Sequence, residues 1–179
     1  MLSGRKVDFM TAQESVIGHQ AAILCCGYNM GYYKEADIER WAEQQIANMD
    51  DAPLPLIELA TIHGMYPVDV MNLLRTLCGA VPPSVIVEAQ IGFLGLLYDS
   101  KEIPVQRATG ELLSMAVHGK GMTDHQLSMS YCLDDMCDLA LMGTYGTVAQ
   151  VESEFRSFVQ PYVDKLKAQE IEMLRGIDG

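Results

Sequence analysis

The chain has 179 residues, of which 49% are hydrophobic and 20% charged, and its formal net charge is −12. This length suits one globular domain, residues 1–179, whose folding removes roughly 70% of the unfolded chain's surface from water. Only 12 Lys and Arg residues stand against 24 Asp and Glu residues, which disfavours nucleic acid and anionic membrane surfaces as partners because both are negatively charged.

The first eight residues, Met1 to Asp8, lack the apolar stretch of a secretory signal, and no later run is long and apolar enough to span a bilayer. We therefore expect a cytoplasmic protein in which thiols stay reduced. Its five cysteines never occur in C-x-x-C spacing, so we interpret them as free, mostly buried side chains. They are Cys25, Cys26, Cys78, Cys132 and Cys137.

Apolar residues recur mostly at spacings of three and four, which is the helix period. Thr11-Ala-Gln-Glu14 has the pattern of a capping box and opens a first helix that ends near Gly31. A second helix is predicted from about Lys34 to Met49, with Trp41 on its inward face. The proline of Asp50-Asp51-Ala52-Pro53 ends it, because a proline disfavours helix at the residue before it.

Prolines and glycines mark the next two helices. Pro55 suits the first turn of a third helix, which is predicted to stop at Gly64. Pro67 likewise starts a fourth helix over Val68 to Cys78, and Gly79 stops it.

The segment Ser84 to Tyr98 is apolar on nearly all sides, which predicts a helix at the centre of the domain. Gly92 and Gly95 would let a neighbouring helix approach it closely. A buried strand over Val81 to Leu97 remains an alternative, because Val85-Ile86-Val87 is β-branched.

Three more helices follow. One covers Val105 to Val117, and capping boxes at Thr123-Asp-His-Gln126 and Thr147-Val-Ala-Gln150 open two others, which run to about positions 142 and 174. The last should bend at Pro161, which cannot donate an intrahelical hydrogen bond. The fold class predicted is all-α, a single-domain bundle or irregular array of about seven to eight helices.

No cofactor or metal is predicted, because the four histidines are scattered and neither H-E-x-x-H nor a phosphate-binding glycine loop occurs. A metal held by His125, Cys132, Cys137 and Asp138 stays open in principle. Free thiols and a histidine near a helix start explain these residues more simply.

Paired carboxylates are the strongest candidates for chemistry. Asp134 and Asp138 lie one helical turn apart, with Asp135 beside them. One carboxylate of such a pair can act as an acid where its surroundings raise its pKa, as in glycosidases. Solvated acidic helix faces have the same pattern and are commoner, so an enzyme remains an alternative.

Acidic charge is concentrated in two segments. Residues 35–74 hold eight acids against one base, Arg40, and residues 121–155 hold six acids without any Lys or Arg. A surface of one sign steers an oppositely charged partner, although it also keeps a protein dispersed. The residues that we predict to bind a basic protein partner are Asp134, Asp135, Asp138, Glu152, Glu154, Glu35, Glu39 and Glu43.

Two stretches of the chain resemble a pattern in small acidic helical bacterial proteins. The first is Glu39-Arg-Trp41-Ala42-Glu43 with Ile46, Asp51-Ala-Pro53 and Leu56-Ile57-Glu58-Leu59-Ala60. The second is Leu133-Asp134-Asp135, Asp138-Leu139-Ala140 and Gly143-Thr-Tyr-Gly146-Thr147, followed by Phe158 and Pro161-Tyr162. Together they are similar to the immunity or immunity-like proteins that accompany bacterial antagonistic toxins.

This resemblance implies a cytoplasmic protein that neutralises a cognate toxin by binding it, without chemistry of its own. It names no toxin-contacting residue, and Trp41, Pro53 and Leu59 suit a role in the fold equally well. An enzyme that uses carboxylates of the acidic helix faces is one alternative. A subunit or adaptor of an oligomeric assembly is the other, and homo-oligomerisation stays open.

Overall fold

A computed structural model describes residues 12–79 and 81–174 of the chain. These residues form eight α-helices and no β-strand, which confirms the all-α class. The helices are α1 (Ala12–Asn29), α2 (Glu35–Ala47), α3 (Leu54–Leu59), α4 (Pro67–Cys78), α5 (Pro83–Asp99), α6 (Val105–His118), α7 (Asp124–Leu141) and α8 (Val148–Leu174). Within these ranges, none of the helices combines the length and apolarity needed to cross a membrane.

Two of the three predicted capping boxes are formed. The Gln126 backbone N–H donates to Thr123 Oγ1 at 3.2 Å, and the Thr123 N–H donates to Gln126 Oε1 at 2.7 Å. Thr147 and Gln150 make the same exchange at 3.3 and 2.9 Å. These reciprocal bonds satisfy amide groups that a helix start leaves unpaired, and they begin α7 and α8 where predicted. The box predicted at Thr11 lies outside the described residues.

The predicted extent of the third helix is wrong: α3 ends at Leu59, five residues before Gly64. The Thr61 backbone N–H and its hydroxyl both donate to the Glu58 carbonyl, at 3.1 and 3.3 Å. This tight turn takes the carbonyl that a continuing helix would use. Ile62 is nevertheless fully buried, so it joins the core from a loop instead of a helix.

The strand alternative for residues 81–97 is also wrong, because α5 covers this segment as a helix that Pro83 begins. Every residue from Ile91 to Tyr98 is buried. A Cβ atom added at Gly92 would lie 2.9 Å from the Tyr162 carbonyl oxygen, and one at Gly95 would lie 2.5 Å from Val163 Cγ2. The two glycines therefore let α8 pack directly on the α5 backbone, as the sequence predicts.

The core consists of two apolar clusters. One surrounds Phe93 and draws on α5, α6, α7, α8 and the second half of α1, and we call it the Phe93 cluster. The other surrounds Trp41 and draws on α1 to α4, and we call it the Trp41 cluster. Helix α1 joins them, because Ile23 packs in the first and Leu24 in the second. The buried Trp41 indole N–H donates to Gln20 Oε1 at 3.0 Å.

Candidate protein-binding surface

Helix α7 is oriented by the residues that it buries, which are Gln126, Ser130, Leu133 and Cys137. Gln126 Nε2 lies 3.0 Å from Tyr162 Oη on α8 and donates to it, while Gln126 Oε1 caps the start of α7. One buried amide thus connects the cap of α7 to α8. This arrangement determines which side chains of α7 point away from the protein.

The side of α7 opposite to these buried residues is exposed and mixes aromatic, aliphatic and acidic groups. It is formed by Tyr131, Asp135, Asp138, Leu139 and Met142, all exposed, and we call it the outer α7 face. Their spacing of three and four residues places them on one side of the helix. The tyrosine is 50% exposed and the methionine 76%. Tyr and Met side chains are enriched at the centres of protein–protein interfaces.

Asp134 lies at the edge of this face and is partly buried. Desolvation raises the pKa of its carboxyl, and the charges of Asp138 and Asp135 raise it further. A neighbouring base would have the opposite effect on the pKa. The negative charges of α7 therefore disfavour ionisation of the Asp134 carboxyl.

The first base after this acidic segment, Arg156, is engaged elsewhere. Its Nε atom lies 3.7 Å from Asp99 Oδ1, and its guanidinium lies 5.0 Å from the centre of the Tyr98 ring. Both partners belong to the end of α5. Arg156 is thus directed towards α5, and the segment 121–155 itself contains no Lys or Arg.

The two glutamates at the start of α8 have different surroundings. Glu152 lies close to the hydroxyl of Tyr98, whose pKa is raised first by desolvation and also by the charge of this carboxylate. Glu154 is exposed and lines a cavity beside α7. Glu152 therefore lies beside Tyr98, which Arg156 also contacts, whereas Glu154 lies next to α7.

That cavity is formed where α7 ends and α8 begins, and its volume is about 380 Å³. Met136 of α7 forms one wall, and the connecting turn contributes Tyr145 to Thr147. The other wall belongs to α8 and consists of Gln150, the buried Val151 and Glu154. We call it the α7–α8 cavity. Tyr145 is 75% exposed, so its ring stands at the cavity in contact with solvent.

The second predicted group of acids, on α2, lies on the other half of the fold. Glu35 and Glu39 are partly buried, and Glu43 is exposed. Glu35 lies close to the hydroxyl of Tyr28, whose pKa is raised first by desolvation and then by the charge of this carboxylate. Because α2 packs in the Trp41 cluster and α7 in the Phe93 cluster, the predicted site residues divide into two separate groups.

The exposed apolar residues of the outer α7 face, and Tyr145 beside it, are the functional candidates that the sequence analysis missed. A signal was available: Tyr131, Leu139 and Met142 share the helical side of Asp135 and lie opposite to Leu133. The three-to-four spacing of apolar residues identifies the side of a helix that faces the core. Apolar residues on the opposite side do not belong to that pattern, so the pattern does not select them.

The residues of the metal alternative are not grouped in the described part of the chain. Among residues 12–79 and 81–174, no three His, Cys, Asp or Glu side chains are grouped as a metal site would require. Cys137 is buried while Asp138 beside it is exposed, and His125 stacks edge-on against Phe158 with ring centres 6.1 Å apart. The α7–α8 cavity contains neither Asp134, Asp138 nor a histidine.

No family model, curated protein or solved structure matches this chain.

Proposed function

We propose that this chain is a non-catalytic binding protein that recognises a basic surface of a partner protein through the outer α7 face. The observation that supports this most is the composition of that face. Tyr131, Leu139 and Met142 offer apolar contact area, and Asp135 and Asp138 lie among them. All five belong to the segment 121–155, which contains no Lys or Arg.

The two kinds of side chain would act differently in binding. Exposed carboxylates of one sign raise the rate at which a basic partner associates, and salt weakens this effect. Desolvated aromatic and aliphatic side chains contribute most of the affinity, because they slow dissociation. A surface with both can bind rapidly and tightly, which is what an inhibitor of a toxin requires.

We further propose that the partner is a cognate bacterial toxin whose basic surface is occluded. The resemblance to immunity proteins supports this, and the acids of α7 that belong to the resembling stretch are Asp134, Asp135 and Asp138. The test is co-expression of this chain with a toxin encoded beside it. We expect growth to be restored, and to be lost again when Tyr131 and Met142 are both changed to alanine in a chain that still folds.

Association kinetics test the binding surface directly, once the partner has been identified by capture from the source cytoplasm. Asp135→Asn with Asp138→Asn should lower the association rate constant by about 3- to 10-fold at low salt, and the difference should shrink near 0.5 M salt. The matched control is Asp50→Asn with Asp51→Asn, which removes equal charge beside the Trp41 cluster. An unchanged association rate at low salt would contradict the proposal.

A second candidate function, a subunit of an oligomeric assembly, is favoured by exposed apolar residues near α3 and α4. These are Leu54, Ile57, Tyr66 and Val68. Apolar groups that lie together on a surface often mark contacts between proteins. Sedimentation of the purified chain over a wide concentration range tests self-association, and a monomer throughout would exclude a homo-oligomer.

A further inference from the structure

The α7–α8 cavity has features that the outer α7 face lacks. It is concave, and its volume of about 380 Å³ falls within the range of small ligand sites, roughly 300–1,000 Å³. Its wall combines the apolar side chains of Met136 and Val151 with the carboxylate of Glu154.

The turn that closes the cavity is held by backbone hydrogen bonds. The Gly143 N–H donates to the Ala140 carbonyl at 3.1 Å, and the Thr144 N–H donates to the Leu139 carbonyl at 3.0 Å. With Gly143 at φ +68°, this is a Schellman motif, which ends α7 in a defined geometry. The Thr147 box then begins α8 at once. Tyr145 is thus presented between two fixed helix ends.

We infer that this cavity binds a single arginine side chain of the partner protein. The methylene groups of the arginine would lie along Met136 and Val151, its guanidinium would pair with Glu154, and the Tyr145 ring would cover it. This inference rests on the proposed function, because it identifies one contact of the same basic partner.

Three physical reasons favour arginine. A guanidinium can form two parallel hydrogen bonds with one carboxylate, whereas an ammonium acts as a point charge. It also stacks on aromatic rings more often than lysine does, and Tyr145 is exposed for such a contact. Finally, no Lys or Arg within residues 121–155 competes for Glu154.

The probe for this inference is N-acetyl-L-arginine amide, titrated into the isotopically labelled chain and followed by amide NMR shifts. We expect saturable shifts centred on Tyr145, Gly146, Thr147 and Val151, with a dissociation constant on the order of 1 mM for so small a ligand. N-acetyl-norleucine amide, which keeps an apolar stem without the charge, should bind at least about tenfold more weakly.

Two variants test the assigned contacts. Glu154→Gln should weaken binding of the arginine probe by about tenfold or more, and Tyr145→Ala by about threefold. Glu58→Gln is the matched control, because it removes one exposed carboxylate from α3, and it should leave the titration unchanged. Thermal melting of each variant verifies that it folds.

Three results would overturn the inference: shifts that do not saturate, equal binding of the norleucine probe, or equal binding by the Glu154→Gln variant. None of these needs the partner, so the inference can fail while the proposed function stands. The proposed function can likewise fail while the inference stands. The association test with Asp135→Asn and Asp138→Asn concerns the outer α7 face and not the cavity.

Discussion

Desolvation and the neighbouring charge of Asp138 together raise the pKa of Asp134, which lies one helical turn earlier on α7. Asp135 adds to the effect. The charges of Asp138 and Asp135 therefore oppose the ionisation of Asp134. Charge concentrated in this way slightly destabilises the fold and strengthens the field that a basic partner meets.

The raised pKa makes Asp134→Asn a stabilising change at neutral pH. An acid whose pKa is higher in the folded state contributes stability at low pH and loses it as the pH rises through that pKa. Asparagine resembles the protonated acid, so we expect the free energy of unfolding at pH 7 to rise by about 0.5 kcal/mol. The gain should disappear at pH 3. Urea titrations at both pH values measure it, and a gain of equal size at pH 3 would contradict the assigned cause.

Two Gly→Ala changes should have opposite effects, because one glycine lies in the contact between α5 and α8 and the other does not. At Gly92 the added methyl group meets the Tyr162 carbonyl oxygen at 2.9 Å, so Gly92→Ala should destabilise the protein by about 1–3 kcal/mol. At Gly110 on α6 the added group meets no atom of another element among residues 12–79 and 81–174, and alanine should stabilise the helix by about 0.5–1 kcal/mol. Chemical denaturation compares the two, and equal effects would argue against close packing of α8 on α5.

Gln126 is predicted to stabilise α7 through two connections at once. Gln126→Met introduces an apolar side chain of similar length, and it removes the acceptor for Thr123 and the donor to Tyr162. We expect a loss of about 2–3 kcal/mol, because the capping bond and a buried polar contact disappear together. Tyr162→Phe should cost about 1 kcal/mol. In a double-mutant cycle the two changes should couple by about 0.5–1.5 kcal/mol, and strictly additive costs would exclude the contact.

The cysteines should differ sharply in reactivity. The pKa of Cys26 is raised to about 12 and that of Cys78 to about 11, mainly by burial and in smaller part by nearby Cys25. These thiols stay protonated at pH 8, and a protonated thiol is a poor nucleophile. Cys132 is exposed. A disulfide reagent should therefore modify one thiol quickly in the native protein, and Cys132→Ser should abolish that fast phase. A fast phase that persists would contradict the exposure assigned to Cys132.

Much of the fold follows from local sequence, because the interactions that start and stop its helices span only three or four residues. The Thr123 and Thr147 boxes, and the proline that begins α4, were recognisable without tertiary information. The end of α3 was not recognisable in this way. The sequence predicts that the helix stops at Gly64, whereas the hydrogen bonds of Thr61 end it earlier.

The candidate site, too, was predictable from the sequence only in part. The sequence by itself determined that residues 121–155 are acidic, lack any base and form helices, because charge and periodicity are properties of the chain. Only the tertiary structure decided that Glu152 meets Tyr98 of α5 while Glu154 lines a cavity with Met136 of α7. The two glutamates are two residues apart and point to different sides of α8. Which residues each side of α8 contacts depends on how α8 packs against helices distant in sequence. Helical spacing carries no information about that packing.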